Sequence, residues 1–407
     1  MSENVKKPLA LFEAYGIELE YMIVDRDTLA IRPIADLLLE EMAGDVVADF
    51  ENGDIAWSNE LVLHVIEIKT NGPAKKLEGL AEKFSENVAL ANKRLEKHNA
   101  MLLPTGAHPF MNPLKETIIW PHEYNEVYEL YNRIFDCKGH GWSNLQSTHI
   151  NLPFANDEEF KKLHAAIRLV LPLIPALSAS TPIFELKHEG IKNQRLEFYK
   201  LNQSKIPQIA GKVIPERAFS QNAYEELIFQ PIKQAIRPYD KDGILGKYFL
   251  NSRGAIARFD RNAIEIRIVD IQESPKMDLA IMQLVSKLIQ FLIDEKTCTL
   301  AEQMKWNEND LFAIFNDTIK NAEDSIIDNV AYLKMFGIEQ TICSAKDFWK
   351  EMQYATTNKS LEMDFILEKG SLATRILKAV NQDYSKENIL RVYRKLGDCL
   401  SQNKAFE

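Results

Sequence analysis

From Leu11 to Val24 apolar and polar residues alternate with a period of two, which predicts a β-strand. Ile17, Leu19, Tyr21 and Ile23 share its apolar face, and Gly16, Glu18, Glu20 and Met22 share the other. A second strand is predicted over Glu60 to Ile68, closed by the breaker Asn71-Gly72-Pro73. Beyond the breaker Leu77, Leu80, Ala81, Phe84, Val88, Ala91 and Leu95 recur at helical spacing. Further amphipathic helices are predicted over Tyr124 to Phe135, Glu158 to Ile174 and Ala223 to Ile236, with short strands at Ser147 to Leu152 and within Phe249 to Asp270. The last of these contains a hairpin, Ala255 to Phe259 and Ala263 to Val269, around the polar turn Asp260-Arg261-Asn262.

After Pro275 the pattern becomes wholly helical, with candidates at Asp278 to Asp294, Asp310 to Ala322, Ser344 to Met352 and Lys386 to Leu400. The expected architecture is α+β: a largely antiparallel, curved sheet backed by helices, followed by a helical C-terminal part. With no repeat and no Gly/Ser linker, the division is soft: a core over 8–295 and a helical region over 296–407 packed on it.

Composition narrows the function classes. A chain of 407 residues with 46% hydrophobic and 27% charged residues can bury a large core, which excludes a disordered chain. The net charge of -10, without a basic stripe, argues against nucleic acid as a partner. The first residues lack the apolar stretch of a secretion signal, and the best apolar run, Leu169 to Leu177, is broken by Pro172 and Pro175; a cytoplasmic protein that spans no membrane is expected. Cys137, Cys298, Cys343 and Cys399 have no paired spacing, so they read as reduced core thiols. Nothing in the pattern fixes an oligomeric state.

The chemistry lies in carboxylates on strands. Glu18 and Glu20 point to one face with Cα atoms about 6 to 7 Å apart. Alone, such a pair is more often a solvated outer face. Glu67, inside a very apolar run, has to be buried and therefore paired or metal-bound. Glu60 lies seven residues earlier, so the two share a site only if the strand bulges or bends. His149 and Asn151 share a face of the Ser147 strand; a neutral imidazole there is a candidate ligand, although a lone strand histidine is more often structural, as expected for His64. Glu265 and Arg267 share a face of the closing strand, either in an ion-pair ladder with Arg258 and Asp260 or in a site. Several same-face glutamates with one histidine and one arginine suit oxygen-rich magnesium or manganese sites that hold a triphosphate. No glycine-rich phosphate loop competes with that reading.

Six segments in order resemble the motifs of the second family of glutamate-cysteine ligases and carboxylate-amine ligases, a branch of the glutamine-synthetase-like fold. They are Gly16-Ile-Glu-Leu-Glu, Val65-Ile-Glu-Ile-Lys-Thr, Gly106-Ala-His-Pro-Phe, His149-Ile-Asn-Leu, Leu177-Ser-Ala-Ser-Thr-Pro and Glu265-Ile-Arg-Ile-Val-Asp. The resemblance spans Phe12 to Asp294 and leaves the helical tail uncovered. It implies that the sheet forms the active-site face. It also implies one metal held by Glu20, Glu60 and Glu67, a second held by Glu18, His149 and Glu265, and Arg267 steadying the transferring phosphoryl group. Arg195 matches a family arginine that binds phosphate or substrate carboxylate, although a surface arginine is an equal reading; Arg258 and Asn151 are further substrate or phosphate candidates. Ala107 stands where a hydroxyl residue is usual, Asn151 replaces a second histidine, and Asn193-Gln-Arg195 replaces a serine-rich approach.

The implied activity is an ATP- and magnesium-dependent ligase, with manganese an alternative metal, that joins the carboxylate of glutamate to the amine of cysteine or another small amine and serves glutathione biosynthesis. A carboxylate is inert to amines at neutral pH, so ATP must turn its oxygen into a leaving group as an acyl phosphate. The runner-up is a metal-dependent phosphohydrolase with water as acceptor. A catalytically silent metal- or nucleotide-binding protein is a third reading.

Overall fold

The computed structural model describes residues 7–246 and 250–407. Eight strands form one antiparallel sheet: β1 Gly16–Asp25, β2 Asp49–Asn52, β3 Ile55–Asn59, β4 Val65–Thr70, β5 Ala100–Leu103, β6 Ser147–Pro153, β7 Ala255–Arg258 and β8 Ala263–Asp270. Their order is β2-β3-β4-β1-β6-β8-β7, with β5 paired to the end of β1. Each pairing is antiparallel, as the alternating patterns require.

One face of the sheet is the core. Ile17, Leu19, Tyr21, Trp57, Ile68, Ile150, Ile264 and Ile266 are fully buried there, together with Phe84, Val88 and Ala91 of helix Leu80–Leu95 and Leu284, Val285 and Leu288 of helix Pro275–Ile293. The C-terminal helices join this packing rather than standing apart. Leu311, Phe315 and Trp349 belong to the same cluster, while Leu372, Ile389, Tyr393 and Leu396 cover Met22, Val24 and Leu103 of β1 and β5. Burial of these two apolar clusters is the main stabilising term.

Two sequence expectations change. The segment Glu60 to Ile68 is not one strand: the chain turns at Leu63-His64 and β4 begins only at Val65. Leu61-Val62-Leu63 is apolar because it packs into the sheet layer, with Val62 bridging to Ile119, and an apolar run in a buried turn has no period that separates it from a strand. The helix expected over Glu158 to Ile174 stops at Val170 and gives way to a tight turn, Leu171–Leu173, before a new helix, Ile174–Ser178. Pro172 lacks the N–H that would continue the first helix. The hairpin forms as expected, with β7 and β8 flanking the Asp260 turn; Phe249, the start of that predicted stretch, lies outside the described residues. All four cysteines are free thiols.

Candidate active site

The other face of the sheet gathers the charged residues. Register places Glu18 opposite both Lys69 on β4 and His149 on β6, Glu20 opposite Glu67, and Asn151 opposite Glu265. One glycine explains a motif: Gly16 pairs with Asn151 so closely that a Cβ there would lie 3.0 Å from the Asn151 Cβ. A register irregularity between Thr148 and Ile150 adjusts the β6–β8 pairing at His149.

His149 stands at the centre. Its Nδ1 lies 2.8 Å from Glu18 Oε2 and 3.8 Å from Glu265 Oε1, and its Nε2 lies 2.8 Å from Ser147 Oγ and 3.7 Å from Glu20 Oε1. Two sets of ligand atoms each fall within 4.8 Å of one another: Glu18, His149 and Glu265, and Glu20, Glu67 and His149. The expected second set is thus brought together whole. The expected first set is brought together as Glu20 and Glu67, with His149 in place of Glu60. Glu60 follows the end of β3 and lines the site from its edge, with its Oε2 accepting from Leu61 N. The turn before β4, rather than a bulge within a strand, carries Glu60 and Glu67 to the same side.

So much negative charge in a buried place distorts titration. Burial disfavours the imidazolium of His149, but the Glu18 hydrogen bond and the charges of Glu20, Glu18 and Glu265 outweigh it and raise its pKa to about 9. Burial acts to raise Glu18, yet the hydrogen bond and charge of His149 bring it down to about 2. Burial and the neighbouring Glu18 push Glu67 up to about 7 against the pull of Lys69 and Ser58. Burial and the charges of Glu20 and Glu67 push Glu60 well above the carboxylate range. A site whose carboxylates must hold protons or cations to coexist is chemically matched to divalent metal: buried oxygen donors, one imidazole, and hydrogen-bonded second partners.

Two cavities meet at this cluster. The larger, about 720 Å³, is lined by Glu18, Glu67, His149, Asn151, Arg258 and Glu265 among others. The smaller, about 160 Å³, is lined by Glu20, Trp142, Arg195, Tyr199 and Gln203 among others. Glu60 and Arg267 line both. Arg267 Nε lies 3.7 Å from Glu265 Oε1, and the charges of Tyr199, Glu265, Glu20 and Glu18 raise its pKa against the opposing effect of burial, so the guanidinium is fixed as a cation between the two spaces. Arg195 is not a surface arginine: it is 1% exposed and its Nε donates to Asp270 Oδ1 at 2.6 Å. Asn151 donates to Glu18 Oε1 at 2.9 Å, so it contacts a carboxylate as well as the cavity. Arg258 bonds Asp260, two residues further along, at the rim of the larger cavity.

Sequence reasoning passed over three close neighbours. Lys69 Nζ contacts Glu67 and Asp49, both at 3.0 Å, and Ser58 Oγ at 2.7 Å. Ser147 donates to Glu20 through its N–H at 2.6 Å and its hydroxyl at 3.0 Å. Ser58 donates to Glu67 at 2.7 Å. Lys69 and Ser147 each lie two residues from a named site residue on the same strand, so alternation alone placed them on this face.

The sequence model of the family described as Glutamate-cysteine ligase family 2 (GCS2) matches residues 14–394. The chain belongs to this family. Membership supports a ligase that joins a carboxylate to an amine, and favours it over a phosphohydrolase. A protein of Archaeoglobus fulgidus, described only as uncharacterized, is similar to the GCS2 chain at 30% identity over 397 residues, covering 96% of this chain and 99% of the relative. Among solved structures, a bifunctional glutathione synthetase from Pasteurella multocida superposes with a TM-score of 0.61 at 13% identity, over 97% of this chain and 52% of that one. A glutamate–cysteine ligase from Francisella tularensis, in complex with AMP, superposes with a TM-score of 0.59 at 12% identity, over 97% and 89% of the two chains. At these identities the structures establish a shared fold. The GCS2 chain thus spans about half the length of the bifunctional enzyme. Among its described residues no helix is long and apolar enough to cross a membrane.

Proposed function

We propose that this protein is an ATP- and magnesium-dependent ligase of the cytoplasm that joins the carboxylate of glutamate to the amine of cysteine or another small amine, releasing ADP and phosphate. The observation that carries the reading is the convergence of Glu18, Glu20, Glu67 and Glu265 on His149, beside an arginine that lines both cavities. Glu18, His149 and Glu265 would hold one divalent ion and Glu20 and Glu67, with Glu60 at the edge, a second; magnesium or manganese fits this donor set. When bound, such ions neutralise and orient the triphosphate.

The remaining work falls to the chain. Arg267 offsets charge as it develops on the γ-phosphoryl oxygens while the substrate carboxylate attacks phosphorus and ADP leaves. The amine then attacks the acyl carbon, phosphate departs with one former carboxylate oxygen, and the amine proton passes to a nearby carboxylate or to water. Ser147 and Asn151 fix the carboxylates they bond, which preserves the geometry of the row.

ADP release with ATP, magnesium and glutamate, with and without cysteine or other small amines, tests the reading when products are identified by mass spectrometry. The expected result is an amide that forms only with a particular amine, in step with ADP. ADP without a condensation product, whatever the amine, would establish phosphohydrolysis instead.

A further inference from the structure

Two of the clustered carboxylates are each closed on one side by the chain itself. Ser58 Oγ donates to Glu67 Oε1 at 2.7 Å, and Lys69 Nζ lies 3.0 Å from the same oxygen. Ser147 reaches a single oxygen of Glu20, Oε2, through its N–H at 2.6 Å and its hydroxyl at 3.0 Å. A carboxylate oxygen has two lone pairs, so two donors fill it. Neither Glu20 Oε1 nor Glu67 Oε2 takes a hydrogen bond from the described residues, and neither is sealed from the cavities that the two residues line. Each carboxylate therefore offers an ion one oxygen, and the two residues stand opposite each other on β1 and β4 in one ligand set with His149.

Lys69 suits this task better than it suits holding phosphate. Its ammonium has three N–H groups and three partners: Glu67, Asp49 at 3.0 Å and Ser58 Oγ at 2.7 Å. Asp49 comes from β2 and Glu67 from β4, so the ammonium is held between two strands while it closes Glu67. Closing one oxygen matters differently to different ions. Magnesium demands near-ideal octahedral geometry and takes single carboxylate oxygens and waters, whereas calcium takes about six to eight oxygens and readily uses both oxygens of one carboxylate. A ligand set that withholds one oxygen from each of two carboxylates therefore deprives calcium of donors and leaves magnesium with those it uses.

We propose that Lys69, Ser58 and Ser147 are positioning residues that set metal specificity: by closing Glu67 Oε1 and Glu20 Oε2 they hold both carboxylates to ligation through one oxygen, which selects a small octahedral cation over calcium. This rests on the divalent-ion part of the reading above, and the three residues act on the ion only through the two glutamates. Lys69 contributes most, because it sets a fixed positive charge against Oε1. Ser147 contributes less through its side chain, because its backbone N–H stays on Glu20 whatever the side chain is.

The test is manganese binding to the full chain without nucleotide, with free manganese(II) followed by electron paramagnetic resonance while magnesium or calcium displaces it. Wild type is expected to need at least about tenfold more calcium than magnesium for equal displacement. Lys69→Met should narrow that ratio about tenfold, and Lys69→Arg, which keeps the charge and the donors, should leave it within about threefold of wild type. The ratio is the readout because loss of a positive charge by itself strengthens both ions by one factor. Ser147→Ala should narrow the ratio about threefold, and it carries the test at Glu20 if the urea midpoint shows that Lys69→Met fails to fold. Calcium displacing manganese as readily as magnesium does in wild type, or variants that shift both ions by one factor, would overturn the proposal. Manganese bound with an unchanged ratio would leave the ligase reading standing, whereas a wild-type chain that binds no manganese would overturn the metal sites of both.

Discussion

The two faces of β1 have the same backbone and opposite tasks. Ile17, Leu19, Tyr21 and Ile23 are fully buried in a hydrophobic layer that accepts them through shape and area, whereas Glu18 and Glu20 face a cluster where each contact is a specific charge or hydrogen bond. Apolar packing is forgiving of small changes, because neighbours relax and only area and volume are lost. The charged face is not forgiving in function, because the chemistry depends on the charge and placement of each member, while losing one of several crowded carboxylates also relieves repulsion among the rest. The comparison teaches that stability and activity should separate by residue parity over Ile17 to Tyr21; beyond it Met22 and Val24, of the same parity as the glutamates, are packed under the C-terminal helices.

Substitutions can break or sharpen that separation. The largest effect is expected at Glu18→Gln, which keeps shape but removes the negative charge next to His149: amide formation should fall about 10³-fold in kcat/KM while the urea midpoint changes little. Its neighbour in sequence should behave in the opposite way. Leu19→Ala should cost about 3 kcal/mol of stability, read by urea unfolding, while the folded fraction keeps its kcat. If Leu19→Ala abolished turnover without destabilising the fold, the parity argument would be wrong.

A pH effect of intermediate size is expected at the turn that links the strands. His64 is fully buried and its Nε2–H donates to the Ser143 carbonyl at 2.8 Å, and burial lowers its pKa to about 4 from the ordinary 6.5. The neutral form is favoured by folding, so the contribution is fully present above the unfolded pKa and is lost as pH falls toward the folded one. Between about pH 7.5 and 5 this residue should account for about 2 kcal/mol of lost stability. His64→Gln should therefore show a shallower fall in unfolding free energy over that range than wild type, whatever its absolute stability. The smallest effect is expected from Ser58→Ala, which removes the hydroxyl donor to Glu67: manganese affinity, read by paramagnetic relaxation, should weaken roughly tenfold with the fold intact.

Much of this face was legible because alternation is a local signal. β1 and the β7–β8 hairpin follow the period of two, and Glu18, Glu20, His149 and Glu265 could be placed on one side of their strands from that alone. The segment after β3 was not legible, since Leu61-Val62-Leu63 is as apolar as a strand while it turns, and so the joint placement of Glu60 and Glu67 came from a turn that hydrophobicity conceals. Lys69 and Ser147 were within reach of the same rule but were overshadowed by the acidic residues beside them. The Arg195–Asp270 pair spans 75 positions, so it has no local signature.

The proposed function requires the sheet to activate a carboxylate by phosphorylation for attack by an amine. Its most direct test is the fate of ¹⁸O in glutamate labelled at both side-chain carboxylate oxygens, followed through one round of condensation with the amine found to be active. An acyl phosphate predicts one ¹⁸O in the released phosphate and one in the amide. Unlabelled phosphate accompanying the amide would contradict the acyl-phosphate route, and phosphate whose new oxygen came from water would contradict the ligase.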